Sequence, residues 1–303
     1  MTVRAATATA VAAMAAMLMV AGCVAPREVA VPPATPADDP PPRPVIQGTA
    51  PRLDGLPMQG GLYRGTTRPG TILTLDGRPV PVEPDGSFVI GFDRDAPATA
   101  LLAARHEGSD AITVSETRLA IAPRDWKIER VDAPYRAGKT DAEFAAMRPA
   151  ELARIVAARA QVTDASGWRQ RFVWPARGRQ SGWFGSQRVY QGQPGSYHSG
   201  ADVAVPTGTP VAAPADGVVI LAADQPFTLE GRLLMIDHGM GVSTALLHLS
   251  RIDVRVGDHV RQGQPVALSG ATGRVTGPHL HWGLQWRGAK LDPLLVVGAG
   301  PEN

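Results

Sequence analysis

Three separated segments of the second half of this chain carry histidines in positions that suit metal chemistry. The first is His198-Ser199-Gly200-Ala201-Asp202, the second His279-Leu280-His281, and the third places His248 inside the apolar run Ala245-Leu246-Leu247-His248-Leu249. In extended backbone, residues two or four apart point to one face of a sheet. Each of the first two segments therefore presents a pair of polar side chains together. Catalytic zinc takes three protein ligands and leaves a fourth place for water. Two histidines and one carboxylate would satisfy it and leave histidines over for proton handling. Any one of these residues alone reads as an ordinary polar position at a strand end; the set, gathered in one region, reads as a site. The single cysteine, Cys23, excludes an intrachain disulfide and a thiolate zinc cage.

The surrounding motifs extend the pattern. Phe184-Gly185, Pro210-Val211-Ala212-Ala213-Pro214-Ala215-Asp216-Gly217, Asp237-His238-Gly239, His248-Leu249-Ser250, Gly257-Asp258, Gly263-Gln264 and Thr276-Gly277-Pro278-His279-Leu280-His281 occur in that order. With the His198 to Asp202 segment, this series resembles the lysostaphin-type (LytM-like) zinc peptidases, β-rich enzymes that cut peptidoglycan. The resemblance runs from about Trp183 to Pro293. It implies one zinc ion per chain held by His198, Asp202 and His281, with His248 and His279 as the catalytic pair. It leaves open which of those two accepts a proton and which supports the developing oxyanion. The family often has a tyrosine where this chain has Leu246, and the loss of that hydroxyl is expected to remove one donor near the transition state.

Other polar residues read as structural. His238 precedes Gly239 in a turn, His259 is expected at the surface beside Asp258, and His106 beside Glu107 and Gly108 is expected in a solvated polar turn. Ser199 and Ser269 have no adjacent base. The glycines of the loop before His279, at 270, 273 and 277, suit turns that line a groove.

The elements that must position these residues are mainly β. Strands are expected at 203–205, 217–221, 233–236, 243–249, 265–268 and 280–286, forming an antiparallel β-sheet peptidase domain over 181–296 with a tail at 297–303. Before it, residues 58–130 read as a small β-sandwich-like domain. Asp76-Gly77 and Asp85-Gly86 are its turn signals, and Pro79-Val80-Pro81-Val82 suits an edge strand. The linker at 131–180 contains one helix, with Pro149 expected in its first turn and Leu152, Ile155, Val156 and Arg159 at helical spacing.

The N-terminus reads as an export signal over 1–22, with Arg4 ahead of an apolar stretch from Ala5 to Val20. Val20-Ala21-Gly22-Cys23 resembles a bacterial lipobox, so Cys23 is expected to be lipidated and to hold the protein at a membrane. Residues 23–57 then form a proline-rich tether, whose segment 24–52 in extended form reaches on the order of 90 Å. The expected location is outside the cytoplasm, as a membrane-anchored lipoprotein facing the periplasm. A formal charge of +2 gives no ground for a nucleic-acid partner, and nothing in the sequence addresses oligomeric state.

The expected partner is the peptide part of peptidoglycan, hydrolysed at its cross-links during wall remodelling. One competing reading is an inactive relative that binds wall and regulates other hydrolases; all five key side chains are present, which argues against it. Another is a biotinyl or lipoyl carrier, whose hairpin frame stretches such as 211–219 also resemble. A carrier needs a hairpin lysine, and residues 182–287 contain none.

Overall fold

Alternating apolar and polar residues punctuated by Gly, Pro and Asp carry the chain through strand after strand, as the pattern at period two requires. The computed structural model describes residues 43–132 and 142–297. The signal segment, Cys23, the tether up to residue 42 and the tail beyond 297 lie outside the described residues.

The first half contains β1 (Val45–Gln47), β2 (Arg52–Leu53), β3 (Leu62–Thr66), β4 (Ile72–Leu75), β5 (Arg78–Val80), β6 (Ser87–Gly91), β7 (Thr99–Glu107), β8 (Ile112–Ala120) and β9 (Ile128–Val131). They form a five-stranded sheet in the order β1-β8-β7-β4-β5 and a three-stranded sheet β2-β3-β6. Asp76 and Gly77 both have positive φ, 48° and 74°, and close the β4–β5 hairpin as a two-residue turn of the kind that matches strand twist. Pro79 sits on the edge strand, where its missing N–H leaves no ladder bond unmade.

Two expectations for this half are corrected. The tether does not run to residue 57, because β1 and β2 lie within it; β1 pairs in parallel with β8, Val45 opposite Ile112. Addition to a sheet edge is made by backbone bonds and needs no apolar pattern, so the exposed, proline-flanked residues of β1 gave no signal. His106 is not in a turn. Pairing of β7 with β8 continues to Glu107 opposite Ile112, and His106 is a half-buried strand residue facing Thr113.

The second half begins with helix α1 (Ala142–Arg159). It starts two turns earlier than expected, so Pro149 lies inside it rather than at its start. The Ala-rich segment before Pro149 is strongly helix-forming and carries the helix across the one missing N–H. The helix buries Ile155 and Ala158 against Ile220, Leu221, Phe227 and Leu233. The strands that follow are β10 (Arg179–Gly182), β11 (Gln187–Tyr190), β12 (Gln193–Pro194), β13 (Gly200–Ala204), β14 (Pro210–Ala212), β15 (Gly217–Phe227), β16 (Gly231–Asp237), β17 (Val242–Leu249), β18 (Arg251–Ile252), β19 (His259–Val260), β20 (Pro265–Leu268), β21 (Leu280–Trp286) and β22 (Ala289–Leu291). The main sheet is antiparallel, in the order β10-β13-β21-β17-β16-β15-β19, with β22 added beside β21.

The two halves meet in one apolar core. Phe88, Ile90 and Leu102 of the first half share a cluster with Leu234, Leu246, Trp282 and Trp286 of the second. A mixed sheet β12-β11-β9 crosses between them, with β9 parallel to β11. A boundary at residue 130 therefore falls inside shared structure.

His238 is structural, as expected, but it is buried rather than merely part of a turn. Its Nδ1 lies 2.7 Å from the Asp216 carbonyl oxygen and its Nε2 2.8 Å from the Thr244 hydroxyl, with the ring edge against Phe172. Burial pushes its pKa down to about 4, against the opposing pull of the Asp216 carbonyl. The imidazole is thus neutral in the native state while the unfolded chain takes up a proton below pH ~6.5. Stability is unaffected above that pH and falls by roughly 1.4 kcal/mol per pH unit beneath it, until the native state also protonates near 4. Urea unfolding at pH 7 and pH 5 is expected to show this loss, on the order of 2 kcal/mol from this residue. His238→Gln should have a shallower pH slope. An unchanged slope would show that His238 is not the group responsible.

Candidate metal centre

Strand register brings the first two ligand candidates together. Asp202 in β13 stands opposite His281 in β21, and His281 stands opposite Leu247 in β17. Directly opposed residues share a sheet face, so the carboxylate and the imidazole emerge side by side. His198 enters from the turn just before β13. Its Nε2 is 3.0 Å from Asp202 Oδ1 and 3.0 Å from His281 Nδ1, and His281 Nδ1 is 2.8 Å from the same Oδ1. The Trp183 carbonyl oxygen lies 3.1 Å from His198 Nδ1. A hydrogen bond there places the proton on Nδ1 and the lone pair on Nε2, facing the other two donors.

The electrostatics follow from this crowding. Burial pushes the Asp202 carboxyl up, but the His198 and His281 imidazoles lying against it outweigh burial and hold the group well below the usual carboxylate range. Burial pulls His198 down and Asp202 more than compensates, so its pKa is raised. His281 is more deeply enclosed, and there burial prevails and lowers it. Two imidazole nitrogens 3.0 Å apart beside an ionised carboxylate are a set of converging lone pairs that a cation satisfies. The set fits zinc in donor type and number, with room for a fourth ligand. Among the described residues, these three are the His, Asp or Glu side chains found grouped closely enough to hold a metal ion.

Two glycines not singled out for the site make it possible. A Cβ at Gly182 would collide with the Asp202 carboxylate, and one at Gly200 with the His281 ring and the Trp282 backbone. Their signal is positional: Gly182 is paired with Asp202 and Gly200 with Gly283 in neighbouring strands.

His248 reaches the site by breaking the alternation of its strand. Leu234 pairs with Leu246, then Arg232 pairs with Leu249, so Leu247 and His248 together oppose a single residue. His248 itself has φ +64°, a left-handed conformation uncommon for a residue with a side chain. This is a bulge that re-aims the His248 side chain toward the His198, Asp202 and His281 group. The ring lies 4.8 Å from that of His279 and 6.3 Å from that of His281, between centroids. His248 Nδ1 is 3.0 Å from the Thr272 carbonyl oxygen, and His279 Nδ1 is 2.9 Å from that of Gly277. Each carbonyl accepts a hydrogen bond from the Nδ1–H, which puts the ring lone pair on Nε2. His279 Nε2 lies 3.9 Å from Asp202 Oδ1. Burial, reinforced by His279 and His281, pushes His248 down to about 4, so it is neutral at physiological pH.

The expectation for Leu246 is corrected by the same geometry. Leu246 is fully buried and opposes Trp282 in the core, on the face away from His281. A tyrosine there would point into the core, and its absence takes no donor from the site.

A support for His248 was not foreseen. The tip of the β15–β16 hairpin supplies the Glu230 carbonyl that accepts the His248 backbone N–H at 2.9 Å. Helix α1 grips that tip: Arg148 makes a two-pronged pair with Glu230 at 2.6 and 2.8 Å, and Glu151 accepts from the Thr228 N–H and hydroxyl at 2.6 and 2.7 Å. The helix is part of the scaffold behind the site as well as a link. Thr272 joins in through its hydroxyl, which accepts from the Arg232 N–H and donates to the Leu249 carbonyl.

Residues 196–293, which include all five candidate side chains, match Peptidase family M23. Over 97 residues the chain is 46% identical to the peptidoglycan DD-endopeptidase ShyA of Vibrio cholerae, covering 32% of this chain and 22% of that protein. Over 170 residues it is 34% identical to the cell division protein DipM of Caulobacter vibrioides, covering 54% of this chain and 25% of that one. The chain thus spans about a quarter or less of the length of these curated relatives. Among solved structures, a chain described as a peptidase M23 of Pseudomonas aeruginosa superposes with a TM-score of 0.58 at 26% identity, covering 82% of this chain and 96% of that one.

Proposed function

From the M23 peptidase domain at residues 196–293, we propose that the protein is a zinc metalloendopeptidase that hydrolyses peptide cross-links of peptidoglycan. The observation that carries this reading is the convergence of His198, Asp202 and His281 within hydrogen-bond distance of one another, with His248 and His279 beside them. His198 and His281 supply nitrogen donors, and Asp202 offsets part of the cation's charge. Zinc held there supplies Lewis-acid polarisation of the scissile carbonyl.

The remaining steps belong to this chain's own side chains. His248, neutral and with its Nδ1 proton committed to the Thr272 carbonyl, offers Nε2 as a proton acceptor. His279, oriented by the Gly277 carbonyl, stands next to it as the second imidazole for proton transfer or oxyanion support. Gly283 presents no side chain beside the ligands, which suits a substrate backbone lying close against the sheet. A wall-peptide substrate is supported by the relative named as a peptidoglycan DD-endopeptidase. The export-type N-terminus and lipobox are consistent with work at the wall, and lipid on Cys23 in membrane-extracted protein, read by mass spectrometry, tests the anchor.

The decisive experiment incubates the purified chain with peptidoglycan sacculi, with zinc and with a chelator, and separates the soluble fragments. Cross-linked dimers should convert to monomers with zinc and persist with chelator. Persistence of dimers in both arms, or shortening of glycan strands instead, would overturn the assignment.

A further inference from the structure

His198 is the one metal-ligand candidate that does not sit in a strand of the main sheet, since β13 starts at Gly200. Its position is set by a turn. His198 N–H donates to the Ser186 carbonyl at 2.8 Å, the Gly185 N–H donates to the His198 carbonyl at 2.8 Å, and its ring meets the Trp183 carbonyl. Whatever fixes the Trp183 to Gln187 turn therefore fixes the ligand.

That turn is held from the other half of the chain. Arg94, which follows β6, donates from Nε to the Gly185 carbonyl at 3.0 Å and from Nη2 to Gln187 Oε1 at 3.0 Å. Its third polar contact is Asp95 Oδ1, at 2.6 Å. The guanidinium lies 4.8 Å from the centre of the Tyr197 ring and 5.4 Å from that of Trp126. Trp126 also fills the space where a Cβ on Gly185 would stand, and Gly185 has φ +80°. Tyr197, the residue before His198, donates its hydroxyl to Asp93 at 3.0 Å. Gln187 is held in turn by the Lys127 carbonyl and by its own bond to the Gly195 carbonyl.

The Arg94 side chain is only 8% exposed, although it carries a full charge. Burying a guanidinium is unfavourable unless its planar donors are matched, and a lysine cannot reproduce a two-directional fork. Here the fork is spent on a backbone carbonyl and an amide of the turn that presents His198.

We propose that Arg94 is a positioning residue for the metal ligand His198, so that the metal centre is completed by the N-terminal β half of the chain. Arg94 touches neither metal nor substrate; it acts through Gly185 and Gln187. The inference rests on the reading of His198, Asp202 and His281 as a zinc site.

The test uses the full chain and measures zinc affinity by competition with a chromophoric chelator, together with the visible spectrum of the cobalt(II)-loaded protein. Arg94→Met is expected to weaken zinc binding by about 10–100-fold, the range seen when a partner that orients a ligand is removed. Its cobalt spectrum should change, and Arg94→Lys should restore little. Tyr197→Phe keeps the ring and removes only the tie to Asp93, so it should fold even if Arg94→Met does not, and should weaken zinc by several-fold. Wild-type affinity and an unaltered cobalt spectrum in Tyr197→Phe and in whichever Arg94 variants fold would overturn the proposal. A wild-type chain that binds no zinc would instead overturn the metal reading beneath it.

Discussion

Asp202→Ala is expected to lose nearly all bound zinc, from about one ion per chain to a small fraction, and with it at least about 10³-fold in peptidase activity. The carboxylate is the hub of the site: one oxygen lies within 3.0 Å of His198 Nε2 and 2.8 Å of His281 Nδ1, and 3.9 Å from His279 Nε2. It supplies the only negative charge in the donor set. Without it, two imidazoles face each other 3.0 Å apart with nothing to hold a dication between them but their own lone pairs. The fold should survive, because β13 keeps its ladder to β21 and its buried residues Ala201 and Val203. Thermal unfolding separates the two effects. Zinc should raise the melting temperature of the wild type, as a ligand bound only by the native state must, and should leave that of Asp202→Ala unmoved. Full retention of zinc by the variant would remove Asp202 from the centre.

The residue types and motifs of the site were legible in the sequence, but the strand counting that paired His198 with Asp202 and His279 with His281 was not what gathers them. β13 begins at Gly200 and β21 at Leu280, so only Asp202 and His281 project from strands, and the register between those strands sets them side by side. His248 was legible as a residue type and motif, but its route to the site was not. Its strand alternates Thr244 and Leu246 toward the core, and by counting His248 should follow them inward. A bulge and one left-handed residue reverse that, and neither is visible in side-chain patterning. The expectation for Leu246 rested on the resemblance alone; the bulge falls between Leu246 and His248, and Leu246 stays in the core. Gly182 and Gly200 were hidden for a different reason. What they contribute is the absence of a Cβ opposite a ligand, which matters only once strand partners are known. The early start of helix α1 and the strands β1 and β2 were missed because local punctuation, a proline in each case, was outweighed by the surrounding packing and by pairing with a distant strand.

His248→Ala is expected to leave zinc content at the wild-type level and to lower turnover by about 10²–10⁴-fold, the range for removing a general acid or base. The distinction follows from geometry. His248 is not among the three converging donors, yet its ring is 4.8 Å from His279 and 6.3 Å from His281. Its Nδ1 is tied to Thr272, so the ring is oriented rather than free. Because burial holds it neutral, it is ready to accept a proton without first losing one. The backbone complicates a simple deletion. At φ +64° an alanine is strained, by roughly 1–2 kcal/mol, while glycine is not. His248→Gly is therefore the companion variant: it should be at least as stable as His248→Ala and equally inactive. If strain in the bulge rather than the missing imidazole caused the loss, His248→Gly would recover activity that His248→Ala lacks. Equal loss in both, with zinc retained in both, assigns the effect to the ring. Near-normal turnover in either would show that proton transfer in this site does not pass through His248.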